Sequence, residues 1–315
     1  MKTLTVSVEK PVRLDRYLTS QYPSLTIGRM NKALRENKIK LNGKKQPLNT
    51  RVDSGDEIRL FLTDQQLGIA PAGPDFLSAR APAEILYQDD YLLIANKPAG
   101  VSVMEDPRHD SLIDRVHLAL YQAGSYHPGR DFAPTLCHRL DTGTSGLVIV
   151  AKSAQAERLL TSLIRDRALK KRYLCVTFGR PMPPAAVLGG FLQKDASKGH
   201  VRILSRSSSN AKPVETRYKT LAVSGRLALL KVELITGRTH QIRAHMASIG
   251  CPILGDSKYG NNAANRELRF KYQALCAYEL EFPVLDAPEL QGVSGHTFHA
   301  PQPWYCQQLR DGTLK

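Results

Sequence analysis

His138-Arg139-Leu140-Asp141-Thr142-Gly143-Thr144-Ser145-Gly146 sets one carboxylate between a cationic pair and a run of small, turn-forming residues. Leu147-Val148-Ile149-Val150 follows, an apolar run of the kind that forms a buried strand. An Asp at the edge of such a strand, with Gly143 and Gly146 letting backbone approach closely, is well placed to meet a ligand. Outward from this point the pattern is strand-rich. Upstream, Ile85-Leu86-Tyr87 and Tyr91-Leu92-Leu93-Ile94-Ala95 flank a turn at Asp89-Asp90 and predict a hairpin. Downstream, Ser153 to about Ala168 predicts a helix burying Ala156, Leu159, Leu160 and Leu163. Strands are expected near 173–178, 201–204, 214–223 and 227–235, then a helix from about Thr239 to Ile249 presenting Ile242, Met246 and Ile249 to the core. Many strands with few intervening helices predict an α+β fold: a mixed, largely antiparallel sheet with flanking helices.

Asp141-Thr142-Gly143-Thr144-Ser145 resembles the catalytic loop of the aspartic proteases. That chemistry needs two carboxylates sharing one proton. The one candidate for a second loop, Asp53-Ser54-Gly55, lies between Arg51-Val52 and Asp56-Glu57 and reads better as a charged turn between strands. Arg139 would also favour an ionised Asp141 and so oppose proton sharing.

The whole nine-residue string, with the strand and Ala151-Lys152-Ser153 after it, resembles the RluA-type pseudouridine synthases. Three further strings match that family in order. They are Asn96-Lys97-Pro98-Ala99-Gly100, then Lys171-Arg172-Tyr173, then Gly237-Arg238-Thr239-His240-Gln241-Ile242-Arg243-Ala244-His245-Met246 with Pro252-Ile253-Leu254-Gly255-Asp256. Leu275-Cys276-Ala277 departs from it, since the family often has Leu-His-Ala there. The resemblance implies isomerisation of selected uridines in structured RNA, breaking the base-nitrogen bond to ribose and remaking it to carbon.

Charge is consistent with such a partner. The 44 Lys and Arg against 29 Asp and Glu leave +15 over 315 residues, which suits a polyanion and salt-dependent binding. Five scattered cysteines without a Cys-x-x-Cys pair argue against a disulfide framework or zinc site, and for a reducing compartment. Met1-Lys2-Thr3 leads into alternating Leu4, Val6 and Val8, not a signal-peptide core, and no apolar run is long enough to span a bilayer. A cytoplasmic protein with no membrane partner is expected.

Residues 1–63 read as a self-contained small α+β module. A short helix opens at Val12-Arg13-Leu14-Asp15, and a second begins at Thr26, an N-cap, with Ile27, Met30 and Leu34 on one face. Arg29, Lys32, Arg35 and Lys38 lie off that face, where they could follow a phosphate backbone. Lys38 to Leu41, the Asn42-Gly43 turn and Lys44 onward predict a hairpin, and Val52 to Leu60 a further turn and strand. This order resembles the S4 RNA-binding domain. Residues 64–84, with Ala70-Pro71-Ala72-Gly73-Pro74 at their centre, read as a linker without a core of its own, leaving 85–315 as the catalytic domain.

The resemblance assigns the chemistry to three residues. Asp141 acts at the ribose, either attacking C1′ or stabilising positive charge there and removing a ribose proton. Arg238, at the start of the last helix, is the candidate partner that holds Asp141 ionised and aimed; the alternative is that it binds phosphate. Tyr173 can stack on uracil and help move the C5 proton through its hydroxyl. Arg139 resembles the family residue that fills the gap left by a flipped uridine. Ile242 and Lys171 complete the expected binding site, with Arg29, Lys32 and Arg35 as the RNA contacts of the small module. His138 reads as structural. The isomerisation needs no redox agent, metal or cofactor. His240 and His245, five apart on a helix and so roughly 140° around it, do not share a face as paired zinc ligands would. Large-subunit ribosomal RNA is the expected partner and transfer RNA the alternative, and a monomer suffices. The alternative function is that of a non-catalytic RNA-binding factor on the same fold.

Overall fold

A computed structural model describes residues 2–68, 74–104, 109–195 and 199–315. The chain divides into two compact units between Asp75 and Phe76. In the first unit the elements are β1 (Lys2–Thr5), β2 (Val12–Arg13), α1 (Leu14–Gln21), α2 (Ile27–Arg35), β3 (Ile39–Leu41), β4 (Arg51–Val52), β5 (Glu57–Leu60) and α3 (Asp64–Leu67). The strands β1, β5 and β3 form one antiparallel sheet and β2 pairs with β4. Leu14, Leu18, Met30, Leu34, Ile39, Ile58 and Leu60 fill the core. Thr26 caps α2 by accepting from the Arg29 amide, and Arg29, Lys32 and Arg35 are all exposed.

Three local features differ from the sequence-derived expectation. Ile27 is 59% exposed, because α2 begins there and its buried face starts at Met30. The Asn42-Gly43 hairpin is limited to a single Leu41–Lys44 bridge, since β3 takes β5 as its ladder partner instead. The stretch read as a linker has structured ends. Leu67 is buried in the core of the first unit, and Phe76 packs with His117, Tyr121 and Tyr126 in the second. Residues 70–73 at its centre lie outside the described residues.

The second unit is built on one sheet. Its elements are β6 (Glu84–Gln88), β7 (Leu92–Lys97), α4 (Leu112–Gln122), β8 (Thr135–Leu136), β9 (Ser145–Ala151), α5 (Ala154–Arg165), β10 (Lys170–Phe178), β11 (Ala185–Asp195), β12 (His200–Leu204), β13 (Ala211–Ser224), β14 (Leu227–Leu234), α6 (Gln241–Ser248), α7 (Asn262–Glu267), β15 (Leu275–Glu281), β16 (Thr297–His299) and α8 (Trp304–Arg310). The order is β12-β11-β13-β14-β10-β15-β9-β7-β6, with β16 on β15 and β8 on β9. Only β9 and β15 run parallel among the described pairs.

Strand alternation sorts the side chains into two layers. Leu93, Ala95, Val148, Val150, Tyr173, Cys175, Leu230 and Val232 share one face with Val116 and Leu120 of α4 and Ile242 and Met246 of α6. Leu92, Ile94, Leu147 and Ile149 face the opposite way, onto Ala156 and Leu160 of α5. Leu174, Val176, Leu227 and Leu229 meet Tyr305 and Leu309 of α8. Tyr173 therefore shares the α4/α6 face because its neighbours Leu174 and Arg172 do not. Ile249, expected in the core, is 36% exposed just beyond the end of α6.

Candidate active site

The loop after β8 carries Asp141 to the mouth of the parallel β9–β15 pair, and two glycines make that geometry possible. A Cβ on Gly146 (φ +106°) would lie 2.2 Å from the Ala277 carbonyl oxygen, and one on Gly143 would lie 2.2 Å from Oε1 of Gln273. The Thr144 amide donates to the Asp141 carbonyl (2.9 Å), closing the turn. Gln273 Nε2 donates to Thr144 Oγ1 (3.1 Å).

Lys97, 0% exposed, ties this loop down from below. Its ammonium donates to the carbonyls of Pro98 (3.0 Å), Val101 (2.7 Å) and Thr142 (3.0 Å), while the Gly100 amide also donates to Thr142 O (2.7 Å). Burial pulls the ammonium down to about 7, opposed by the nearby Asp141 carboxylate. The Asn96-to-Gly100 string is thus a fastener for the Asp141 loop. His138, which also lines the cavity, accepts at Nε2 from the Ile149 amide (3.1 Å), and burial pushes its imidazole down to about 3.

The partner of Asp141 is Arg243, and not Arg238 as expected from the sequence. Arg243 Nη1 donates to Asp141 Oδ2 (2.7 Å), while its Nε and Nη2 grip Asp256 Oδ2 (2.7 Å) and Oδ1 (2.9 Å) as a fork. The physical reason lies in where α6 starts. Arg243 sits in its first turn, buried beneath the Asp141 loop, whereas Arg238 precedes the helix with its amide donating to Gln241 Oε1 (3.1 Å). Gln241 Nε2 in turn donates to Glu215 O (3.0 Å) and Thr216 Oγ1 (2.9 Å), fixing the loop before the helix. Asp256 is 0% exposed and also accepts from the amides of Lys258 and Tyr259. Burial alone would raise its carboxyl, but the Arg243 guanidinium outweighs that and holds it below the ordinary value. The same guanidinium lies over the Tyr259 ring, 5.2 Å from its centroid.

His240 adopts φ +55° ahead of α6 and brings Nε2 to 3.8 Å from Asp141 Oδ2, with Nδ1 3.0 Å from the Tyr259 hydroxyl. Burial, stronger than the pull of Asp141, keeps its imidazole below the ordinary value. Asp141 Oδ1 accepts no protein hydrogen bond among the described residues. One carboxylate oxygen is anchored and the other is open.

Asp141, Arg139, Lys171, Tyr173, Arg238 and Ile242 all line one cavity of about 250 Å³, joined by Arg243, His240, Leu234 and Leu275. The sequence-derived residues of the catalytic domain therefore converge. Tyr173 is buried, and desolvation, with the Asp141 carboxylate second, raises its hydroxyl above the ordinary value, so the phenol stays protonated. Burial lowers the Lys171 ammonium. Arg139 is exposed and makes no ion pair or hydrogen bond among the described residues. Arg29, Lys32 and Arg35 belong to the first unit and are not among the residues that line the cavity. Sequence reasoning missed Arg243, Asp256 and Lys97 as site-building residues, although each stands within a string it had singled out.

A family model described as RNA pseudouridylate synthase matches residues 91–248, which hold Asp141, Tyr173 and Arg243. The ribosomal large subunit pseudouridine synthase C of Rickettsia typhi is 35% identical over 271 residues, 82% of this chain and 85% of its own. This chain belongs to the RluA-type RNA pseudouridine synthases. The synthase is also 31% identical over 310 residues to the uncharacterized RNA pseudouridine synthase MG370 homolog of Mycoplasma pneumoniae, covering 95% of this chain and 94% of that one. Among solved structures it resembles human RNA Pseudouridylate Synthase Domain Containing 4, with a TM-score of 0.60 and 26% identity over 74% of this chain and 94% of that one. The synthase is thus an isomerase that converts uridine to pseudouridine in RNA. No helix among its described residues is long and apolar enough to cross a membrane.

Proposed function

We propose that Asp141 is the catalytic carboxylate of this synthase and that its substrate is a uridine of large-subunit ribosomal RNA. The observation that carries the first part is the Arg243 bond to Asp141 Oδ2, which leaves Oδ1 open at a cavity walled by Tyr173, Ile242 and Leu275. The relatives named for the ribosomal large subunit support the second part.

In this reading the uridine leaves the RNA stack and enters the cavity, and Arg139, exposed and uncommitted, takes its place against the phosphates. Asp141 acts at the ribose while the bond from N1 to C1′ breaks. The uracil turns against the Tyr173 ring and C5 bonds to C1′. The proton leaves C5 and N1 gains one, so atoms balance within a single nucleotide. A Tyr173 hydroxyl that stays protonated acts by relaying this proton, not as a phenolate. Arg238 and Lys171, at the same cavity, supply cations for the phosphates beside the flipped nucleotide.

The first unit serves as an S4-like RNA-binding domain, with Arg29, Lys32 and Arg35 of α2 following a phosphate backbone. The unpaired cysteines suit a reducing cytoplasm. The test is tritium release from uridine labelled at C5 in unmodified large-subunit ribosomal and transfer RNA transcripts. Release from the ribosomal transcript, matched mole for mole by pseudouridine, is the expected result. Release from transfer RNA alone would overturn the substrate assignment.

A further inference from the structure

The mechanism leaves unused a second groove on the catalytic unit, of about 420 Å³, on the far side of the Tyr272-Gln273 segment. Its rim is cationic and aromatic. Phe270 and Trp304 stack with ring centroids 5.2 Å apart at 27°, and Trp304 is 59% exposed, a large apolar ring left open to solvent. Tyr272 is 37% exposed, with the Lys271 ammonium 5.3 Å from its ring centroid. Arg269 and Lys271 are both exposed and form no salt bridge among the described residues. Deeper in, the buried Tyr305 hydroxyl has no hydrogen-bond partner among the described residues, an orphan donor within the groove's lining.

The groove shares a wall with the cleft at the candidate active site. Lys271, Tyr272 and Gln273 line it and also line the cleft that holds Arg139, Asp141 and Arg243. Open aromatic faces interleaved with cations are the chemistry that receives unpaired nucleotides: bases stack on the rings and phosphates meet the ammonium and guanidinium groups. Neither an apolar peptide nor a cation would use that pairing of charge and ring.

We propose that the Arg269–Tyr272 and Trp304 groove binds a single-stranded stretch of the RNA beside the target uridine, with a base stacked on Trp304. The assignment rests on the RNA-synthase reading above, and it adds a subsite that selects for an unpaired flank next to the modified position.

Trp304 is the only tryptophan of the chain, so its fluorescence reports on this groove alone. The full-length protein is titrated with a single-stranded oligoadenylate, which contains no uridine and cannot turn over. Quenching of the tryptophan emission that weakens with added salt, and is equal in Asp141→Asn protein, is the expected result. In parallel, Trp304→Ala should raise the KM for C5-tritiated RNA by about tenfold with kcat nearly unchanged, and Trp304→Phe should restore most of it. An unquenched emission, or a Trp304→Ala variant with wild-type KM, would overturn the groove. Absence of tritium release by wild-type protein would instead sink the reaction assignment, leaving the quenching titration to decide the groove by itself.

Discussion

Arg243→Ala is expected to destabilise the protein by ~3–5 kcal/mol and to reduce tritium release by more than about a hundredfold. Both effects have one cause. The guanidinium is the cation for Asp256, which is 0% exposed, and it also holds Oδ2 of Asp141. Removing it leaves a buried carboxylate unpaired and frees the catalytic candidate to swing. The pH dependence changes sign with it. In the wild type the Asp256 carboxyl lies below its ordinary 3.8, so its stabilisation is full above that value and is lost as pH falls through the lower, folded pKa. Without Arg243, burial dominates and raises the carboxyl, so the penalty is largest at neutral pH and shrinks on acidification. Urea midpoints at pH 7 and pH 4 check this, with the deficit of the variant expected to be smaller at pH 4. Arg243→Lys should keep a charge but lose the fork, recovering stability in part and activity little.

Gly146→Ala is the second large effect, at ~2–5 kcal/mol. A methyl group there would sit 2.2 Å from a carbonyl oxygen of the neighbouring strand, in a backbone conformation at φ +106° that L residues rarely adopt. The strand cannot yield, because β15 is paired on its other side with β10. Gly129→Ala separates the two contributions. Its φ is +79° with nothing within 4 Å of the added carbon, so about 1–2 kcal/mol from conformation alone is expected. Chemical denaturation of the two variants gives the difference, and a Gly146→Ala protein as stable as Gly129→Ala would remove the close-approach explanation.

The Asp141 loop was the most legible part of the molecule, because its chemistry is local in sequence: a carboxylate, two glycines and an apolar strand within the ten residues from Asp141 to Val150. The core strands β7, β9, β10 and β14 were legible for a similar reason, since continuous apolar runs need burial on both faces. The partner of Asp141 was not. Two arginines, Arg238 and Arg243, stand five residues apart in one string, and choosing between them requires knowing that α6 begins at Gln241 and that a buried Asp256 waits beneath it. Gly255-Asp256 carried a usable hint, as a buried Asp implies a cation. Strand β11 went unseen because Pro181, Pro183 and Pro184 precede it and Gly189-Gly190 interrupt its pattern. Helix α4 was missed even though Ser111 and Asp114 form a capping box at its start. Lys97 could not have been found from composition, since a lysine satisfied by three carbonyls looks in sequence like any surface lysine.

The central claim is that Asp141 performs the chemistry, and Asp141→Asn tests it most directly. Asparagine keeps the shape of the side chain and its Oδ1 acceptor but removes the charge. Tritium release from C5-labelled large-subunit ribosomal RNA is to be measured for wild type and variant side by side, with RNA binding by each recorded in the same buffer. The account predicts binding retained and release slowed by at least about 10³-fold. Release by the variant at the wild-type rate would contradict it, and would place the catalytic carboxylate elsewhere in the molecule.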